Sequence, residues 1–281
     1  MKATAIIEDF TALGTISSIA ALDILHGMGI TTAALPTMML STSSEGFGTP
    51  QRLIPSNWQN ATTNHWRSLD QLQLSAVMVG YLGTSSLIER VIKLVKSSGH
   101  VYPLLIDPVM GDGGKLYDGF TAEYPAKMLE LVRLASVITP NPTELQLLAE
   151  IDPIDLSPTS DQLGKVVNVL RQEGVKGTIV VTGVRQQERL GALVFLADKK
   201  THQPLFYGAP QYPGHFFGTG DTFSALLCGY LVHGVPIAEA VQIAIKGVEI
   251  CVAETAQLPV KDRIYGMKMR SLLKFLTGQS V

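Results

Sequence analysis

Cysteine is nearly missing from this sequence: 281 residues hold only Cys228 and Cys251. The two form no Cys-x-x-Cys pair and offer no disulfide framework. Both sit in apolar, helix-like stretches, so they read as buried free thiols, and their scarcity fits a reducing compartment. Long apolar runs are also missing. No stretch reaches the roughly 18 residues needed to cross a bilayer, and Glu8 and Asp9 break the N-terminal apolar run too early for a signal-peptide core. No membrane contact is expected, and the cytoplasm is the expected location. Charge of one sign is absent as well. A net charge of -2 gives no long-range attraction to nucleic acid or anionic lipid, so an anionic substrate has to be held by local groups. Hydrophobic residues at 46% and charged residues at 16% exclude a disordered chain and allow a large core.

Several catalytic signatures are lacking too. Gly218-x-Gly220 has Phe223 where a dinucleotide fingerprint needs a third small residue, and it lies near the C-terminal end. Gly114-Lys115 has Val109 in place of the first P-loop glycine and Leu116 in place of Ser or Thr. There is no HExxH, GxSxG or protein-kinase catalytic loop. Hydride transfer, P-loop NTPase and serine-hydrolase chemistry are thereby disfavoured.

What is present is an alternation of short β-type runs with helical patterns. Expected strands are Thr4–Ile7, Ala33–Met39, Ser75–Val79, Leu104–Ile106, Val137–Thr139 and Thr178–Val181, with Ala192–Leu196 pairing in a following meander. Helical spacing joins Ile16, Ile19, Leu22 and Leu25, and again Leu87, Ile88, Val91, Ile92 and Val95. The expected fold is one α/β domain over residues 1–281, a three-layer α/β/α sandwich on a central, mostly parallel sheet. Leu40–Asn64, rich in Ser, Thr, Gly, Pro and Asn, reads as a loop or flap, and Ile151–Asp161 as a Pro/Asp-rich connection. Open parallel sheets bind ligands beyond the carboxyl ends of their strands. The polar clusters Asp107–Gly114, Thr139–Glu144 and Thr182–Gly183 all fall there.

The most informative segment is Phe217-Gly218-Thr219-Gly220-Asp221-Thr222-Phe223, which opens a helix with Phe223, Leu226, Leu227, Tyr230 and Leu231 on one face. Two glycines at a helix start let backbone N–H groups face an anion, with the helix dipole adding positive potential. Asp221 in that first turn would repel a phosphate, so it makes no sense as a phosphate ligand. It makes sense as a general base for an attacking hydroxyl. A plain helix cap is the competing reading. Asp107 and Asp112 on a glycine-rich loop suit Mg²⁺, which takes one or two carboxylates plus water and phosphate oxygens; local turn capping is the alternative. In Thr139-Pro140-Asn141-Pro142-Thr143-Glu144, either Asn141 or Thr143 can cap the next helix, and Glu144 can simply complement its dipole. Those local readings leave the convergence of the three clusters at strand ends unexplained.

Together, Asp107-Pro108-Val109-Met110-Gly111-Asp112, Thr139-Pro140-Asn141-Pro142-Thr143-Glu144, Val181-Thr182-Gly183 and Gly218-Thr219-Gly220-Asp221 resemble the ribokinase-like superfamily. More closely, the sequence is similar to the pyridoxal/pyridoxamine kinases, in order over nearly the whole chain. Asp9, Leu40–Ser44 and Gly80-Tyr81-Leu82-Gly83 share in the likeness. The resemblance implies ATP-dependent phosphorylation of the hydroxymethyl group of a B6 vitamer. Asp221 would be the base, and Gly218, Thr219 and Gly220 the anion hole. Glu144 with Asn141 would position Mg²⁺ through water, with Asp107 and Asp112 near the metal and phosphates. Thr139, Thr182 and Gly183 would belong to the ATP side. Asp9 would bond the pyridine edge, Ser44 and Tyr81 would line the substrate pocket, and adenine would lie between Tyr207–Pro213 and Lys246–Val248. A homodimer is implied, and a monovalent cation is a further candidate.

The chain departs from that pattern at Ser43-Ser44, where relatives often carry His-Thr, at Glu45, where they carry Gly, and at Glu8 beside Asp9. Adjacent acids can raise one another's pKa. These changes bear on substrate choice and leave the phosphoryl-transfer residues intact. A hydroxymethylpyrimidine kinase is the nearest alternative, and a non-catalytic B6-binding protein a more distant one.

Overall fold

A computed structural model of the chain describes residues 2–44, 46–97, 102–151, 158–197 and 203–278. Glu45, and 152–157 of the connection read over Ile151–Asp161, lie outside the described residues. The chain divides into two compact units, residues 1–80 with 211–281, and residues 81–210.

The first unit opens with β1 (Lys2–Ile7), β2 (Phe10–Thr11), α1 (Ser17–Gly27), β3 (Thr32–Ala34), β4 (Met39–Leu40), β5 (Arg52–Leu53), α2 (Ser56–Arg67) and β6 (Gln73–Val79). Its main-sheet strands run in the order β6-β1-β3, all parallel. β1 is buried along Ala3–Ile7 and β6 along Ala76–Val79, as strands covered on both faces must be. The small strands β2, β4 and β5 form a separate three-stranded sheet.

The second unit holds α3 (Ser85–Ser97), β7 (Leu104–Ile106), β8 (Gly111–Asp112), β9 (Lys115–Leu116), α4 (Tyr124–Val132), β10 (Val137–Ile138), α5 (Pro142–Leu148), α6 (Ser160–Gln172), β11 (Thr178–Gln186), β12 (Arg189–Phe195) and β13 (Leu205–Pro210). Its main-sheet order is β13-β12-β11-β10-β7. β7, β10 and β11 are parallel, and β11 through β13 form an antiparallel meander. The chain then returns to the first unit with α7 (Thr219–Val232), α8 (Ile237–Thr255), a 3-10 turn (Val260–Tyr265) and α9 (Arg270–Gly278). The central sheet is thus mostly parallel, as expected. Leu87, Ile88, Val91, Ile92 and Val95 all lie on the buried face of α3. At roughly 1.5–3 kcal/mol per buried aliphatic side chain, that stripe outweighs the marginal stability of an isolated 13-residue helix.

Four expectations need correction. The strand expected over Ala33–Met39 stops at Ala34, because Pro36 removes a ladder donor. Leu40–Asn64 is not all loop, since β5 and the start of α2 fall inside it. The buried face of α1 is Ala20, Ala21, Ile24 and Leu25, with Ile19 and Leu22 half-buried. Thr182-Gly183 lies within β11, not past its end, at a register shift between Val181 and Val184. Such bulges re-aim side chains and are frequent beside functional sites. Cys228 and Cys251 are buried free thiols, each pushed up to about 12 mainly by burial.

Candidate active site

In the first unit the site is built around the start of α7. Gly218 precedes the helix with φ 80° and ψ 15°, a left-handed conformation that costs a side-chain-bearing residue strain. A Cβ there would also stand 3.0 Å from Ile16 Cγ2 and 3.3 Å from the Thr15 carbonyl oxygen. Gly218 supplies no capping side chain. The N–H groups of Thr219, Gly220 and Asp221 therefore open the helix with no intrahelical acceptor, at its positive end. Thr222 fixes the turn through its hydroxyl, which donates to the Gly218 carbonyl at 2.7 Å.

Asp221 does not cap its own helix. Its Oδ2 accepts the backbone N–H of Ser17 at 2.7 Å. Ser17 is the first residue of α1 and has a left-handed φ of 51°, so its N–H is one of the donors a helix start leaves over. Burial raises the Asp221 carboxyl above the ordinary carboxylate range, and the Ser17 N–H works against that rise. Asp9 stands in the same unit at the end of β1, 3% exposed. Its Oδ2 accepts the Thr11 hydroxyl at 2.8 Å, and its carbonyl takes the Ser18 hydroxyl at 2.6 Å. Burial lifts its pKa to about 6, the Thr11 hydroxyl opposes the lift, and the charge of Asp221 adds to it.

The second unit gathers another set. Glu144, 3% exposed, sits in the first turn of α5. Asn141 and Glu144 form a capping box: Asn141 Oδ1 accepts the Glu144 N–H at 2.9 Å, and Glu144 Oε2 accepts the Asn141 N–H at 2.8 Å. Glu144 Oε1 also accepts the Met110 N–H at 3.1 Å. Asn141 Nδ2 donates to the Gly111 carbonyl at 2.8 Å, and the Gly114 N–H donates to Thr143 Oγ1 at 2.9 Å. The loop from Asp107 is thereby stitched to the start of α5. Asp107 is buried as well, and burial together with its charge raises the Glu144 pKa well above the usual range. A capping box alone has no need of a second buried carboxylate beside it. Thr182 joins this set, its N–H donating to the Pro140 carbonyl at 2.9 Å and its hydroxyl facing the Thr139 carbonyl at 3.5 Å. Gly183 follows, exposed.

Asp112 stands apart. It is exposed, and its Oδ1 accepts the Gly113 N–H at 2.8 Å, the local turn bond that was the alternative for it. Ser44 is exposed. Tyr81 is half-buried, its ring 5.7 Å from that of Phe120. Among the described residues no three of His, Cys, Asp and Glu gather closely enough to hold a metal unaided.

A family model described as phosphomethylpyrimidine kinase matches residues 25–265. The chain belongs to that family. Its fold, the ribokinase-like α/β/α sandwich, is shared with a crystal structure of pyridoxal kinase from Lactobacillus plantarum. That structure is 33% identical with a TM-score of 0.89, and the match covers 99% of this chain and 97% of the other. A pyridoxine/pyridoxal/pyridoxamine kinase of Bordetella bronchiseptica is 27% identical over 250 residues, 85% of this chain and 84% of that one. A pyridoxal kinase of Rubrobacter xylanophilus is 30% identical over 195 residues, 66% of this chain and 64% of that one. The chain spans 52% to 64% of the length of three of the curated relatives it matches.

Within this family member, sequence reasoning missed Ser17, Thr11 and Met110 as partners of the acidic groups. Ser17 and Met110 act through backbone N–H groups, which leave no signature in residue type. Thr11 lies two residues from Asp9, a spacing at which hydroxyls often bond local acids.

Proposed function

We propose that this chain transfers the terminal phosphoryl group of ATP to the hydroxymethyl group of a B6 vitamer, forming pyridoxal 5'-phosphate or its amine or alcohol counterpart. The observation that carries the reading is Asp221. It is a carboxylate in the first turn of α7 that leaves its own helix uncapped and is aimed by a backbone N–H of another helix. A capping role would use it locally. A base beside a phosphate pocket needs it held as it is.

In this reading Asp221 takes the proton from the substrate hydroxyl as its oxygen attacks the phosphorus, and its raised pKa suits that task. The N–H groups of Gly218, Thr219 and Gly220 receive the charge that develops on the transferring group. Asp9 holds the ring's polar edge, with Ser44 and Tyr81 lining the substrate side. Thr139, Thr182 and Gly183 belong to the phosphates. Glu144 with Asn141 would position Mg²⁺ through water, with Asp107 and Asp112 near the metal and phosphates; the ion, when bound, neutralises phosphate charge. Residues 1–281 would act as one kinase domain, in the cytoplasm and as a homodimer, with a monovalent cation as a further candidate. Among the described residues no helix is long and apolar enough to cross a membrane.

The test is turnover with MgATP on pyridoxal, pyridoxine, pyridoxamine and hydroxymethylpyrimidine, side by side. One or more B6 vitamers should be preferred. Preference for hydroxymethylpyrimidine would move the substrate to the family's other branch, and no ATP consumption with any of the four would overturn the kinase reading.

A further inference from the structure

The approach to α7 is tied to a segment near the C-terminus by one side chain. Arg263, in the 3-10 turn Val260–Tyr265, reaches three carbonyls. Its Nη2 donates to Ala256 at 2.8 Å and its Nε to Leu258 at 3.2 Å. Its Nη1 donates to Pro213 at 3.2 Å. The guanidinium also lies 5.1 Å from the centroid of Phe216. Two of these partners follow α8, whereas Pro213 and Phe216 lead directly into Gly218. A planar fork with five donors can hold such a set of acceptors at once.

The same segment supports the other half of the arrangement. The Thr15 N–H donates to the Tyr265 carbonyl at 2.8 Å, and Thr15 forms an isolated parallel bridge with Gly266. Gly266, at φ 87°, lies so close that a Cβ would stand 2.8 Å from Ile16 Cγ2. Thr15 and Ile16 are therefore enclosed between Gly266 on one side and Gly218 on the other. The next residue, Ser17, aims Asp221.

We propose that Leu258–Gly266 is a brace that sets the Gly218–Asp221 loop against the start of α1, with Arg263 as a positioning residue for phosphoryl transfer. The inference rests on the kinase reading for its catalytic consequence. The brace itself is a statement about how residues 213–222 are held. Removing the guanidinium frees Pro213 and Phe216 from the end of α8, and the anion-hole amides lose their fixed placement. Misplacement by about an ångström can cost on the order of 100-fold in rate.

Arg171 supplies a matched control. It also clamps carbonyls, those of Val175 at 2.8 Å and Phe195 at 3.4 Å among them, and no proposed site residue is among its partners. The experiment compares Arg263→Ala, Arg263→Lys and Arg171→Ala by hydrogen exchange and steady-state kinetics. Arg263→Ala should speed exchange in residues 213–222 and lower kcat roughly 10- to 100-fold, with vitamer KM within about threefold. Arg263→Lys should not restore kcat, since an ammonium cannot span three carbonyls. Millimolar guanidinium should recover part of it in Arg263→Ala. Arg171→Ala should leave both readouts near wild type. Unchanged exchange at 213–222 in Arg263→Ala, or an equal loss of kcat in Arg171→Ala, overturns the proposal. Should Arg263→Ala fail to fold, the same comparison runs on Arg263→Lys. If the wild-type chain itself turns over no vitamer, the kinase reading fails, while the exchange data still decide the brace.

Discussion

Ser17 donates its backbone N–H to Asp221 Oδ2 at 2.7 Å across 204 residues of sequence. A main-chain donor cannot be lost by substitution at its own side chain, so the aim of the carboxylate depends on where the backbone of α1 begins. Gly218 decides that from the other side, because its bare Cα packs on Thr15 and Ile16.

Gly218→Ala tests this contact. The added methyl meets Ile16 Cγ2 at 3.0 Å in a left-handed backbone, at a cost of roughly 1–3 kcal/mol. Denaturant unfolding should show a loss of that order, and kcat should fall as the anion-hole amides shift. Equal stability and equal kcat would mean that the close approach has no consequence.

Asp9 gives a pH signature. Its folded pKa is raised from 3.8 to about 6, chiefly by burial. A raised carboxyl pKa means the folded state holds the proton more tightly than the unfolded one. The contribution is fully present below pH 3.8 and is lost as pH rises through about 6. Asp9→Asn should therefore be more stable than wild type at pH 7.5, by roughly 1–3 kcal/mol. Its stability should also change less between pH 4 and 6.5. Unfolding curves across that range check both, and a destabilised Asp9→Asn at pH 7.5 would place the carboxylate in a favourable ionic setting instead.

Glu144→Gln separates folding from metal use. Glu144 accepts N–H groups on both oxygens, and glutamine can accept on only one, which costs about 1 kcal/mol. Relief from burial of the charge beside Asp107 offsets that loss. Stability should stay within about 1 kcal/mol of wild type. The Mg²⁺ concentration for half-maximal nucleotide binding should rise about tenfold, as measured by calorimetry at several Mg²⁺ concentrations. An unchanged Mg²⁺ dependence would remove Glu144 from the metal.

Local patterns were legible in the sequence where one force dominates. Leu104–Ile106 forms a strand with the bounds expected, because a short aliphatic run ended by Asp107-Pro108 leaves few alternatives. The five apolar positions of α3 lie on one face because helical spacing sets them there. In α1 the buried stripe is alanine-rich, and small side chains gave way to Ile19 and Leu22 in the reading of the pattern. The helix of α2 was hidden by its Asn, Thr and Ser content, since its buried residue is the polar Gln59. Asn141 beside Glu144 was legible as a local cap, but the distant partners of the candidate acids were not. Ser17 with Asp221, Met110 with Glu144 and Arg263 with Pro213 join segments far apart through backbone groups, which residue type does not encode.

Asp221→Asn tests the general-base assignment most directly, because asparagine Oδ1 can still accept the Ser17 N–H while the side chain can no longer take a proton. Turnover with MgATP and the preferred vitamer should fall roughly 100- to 10,000-fold, while MgADP affinity by calorimetry stays within about threefold of wild type. Unchanged turnover in Asp221→Asn, with nucleotide affinity also unchanged, would contradict it.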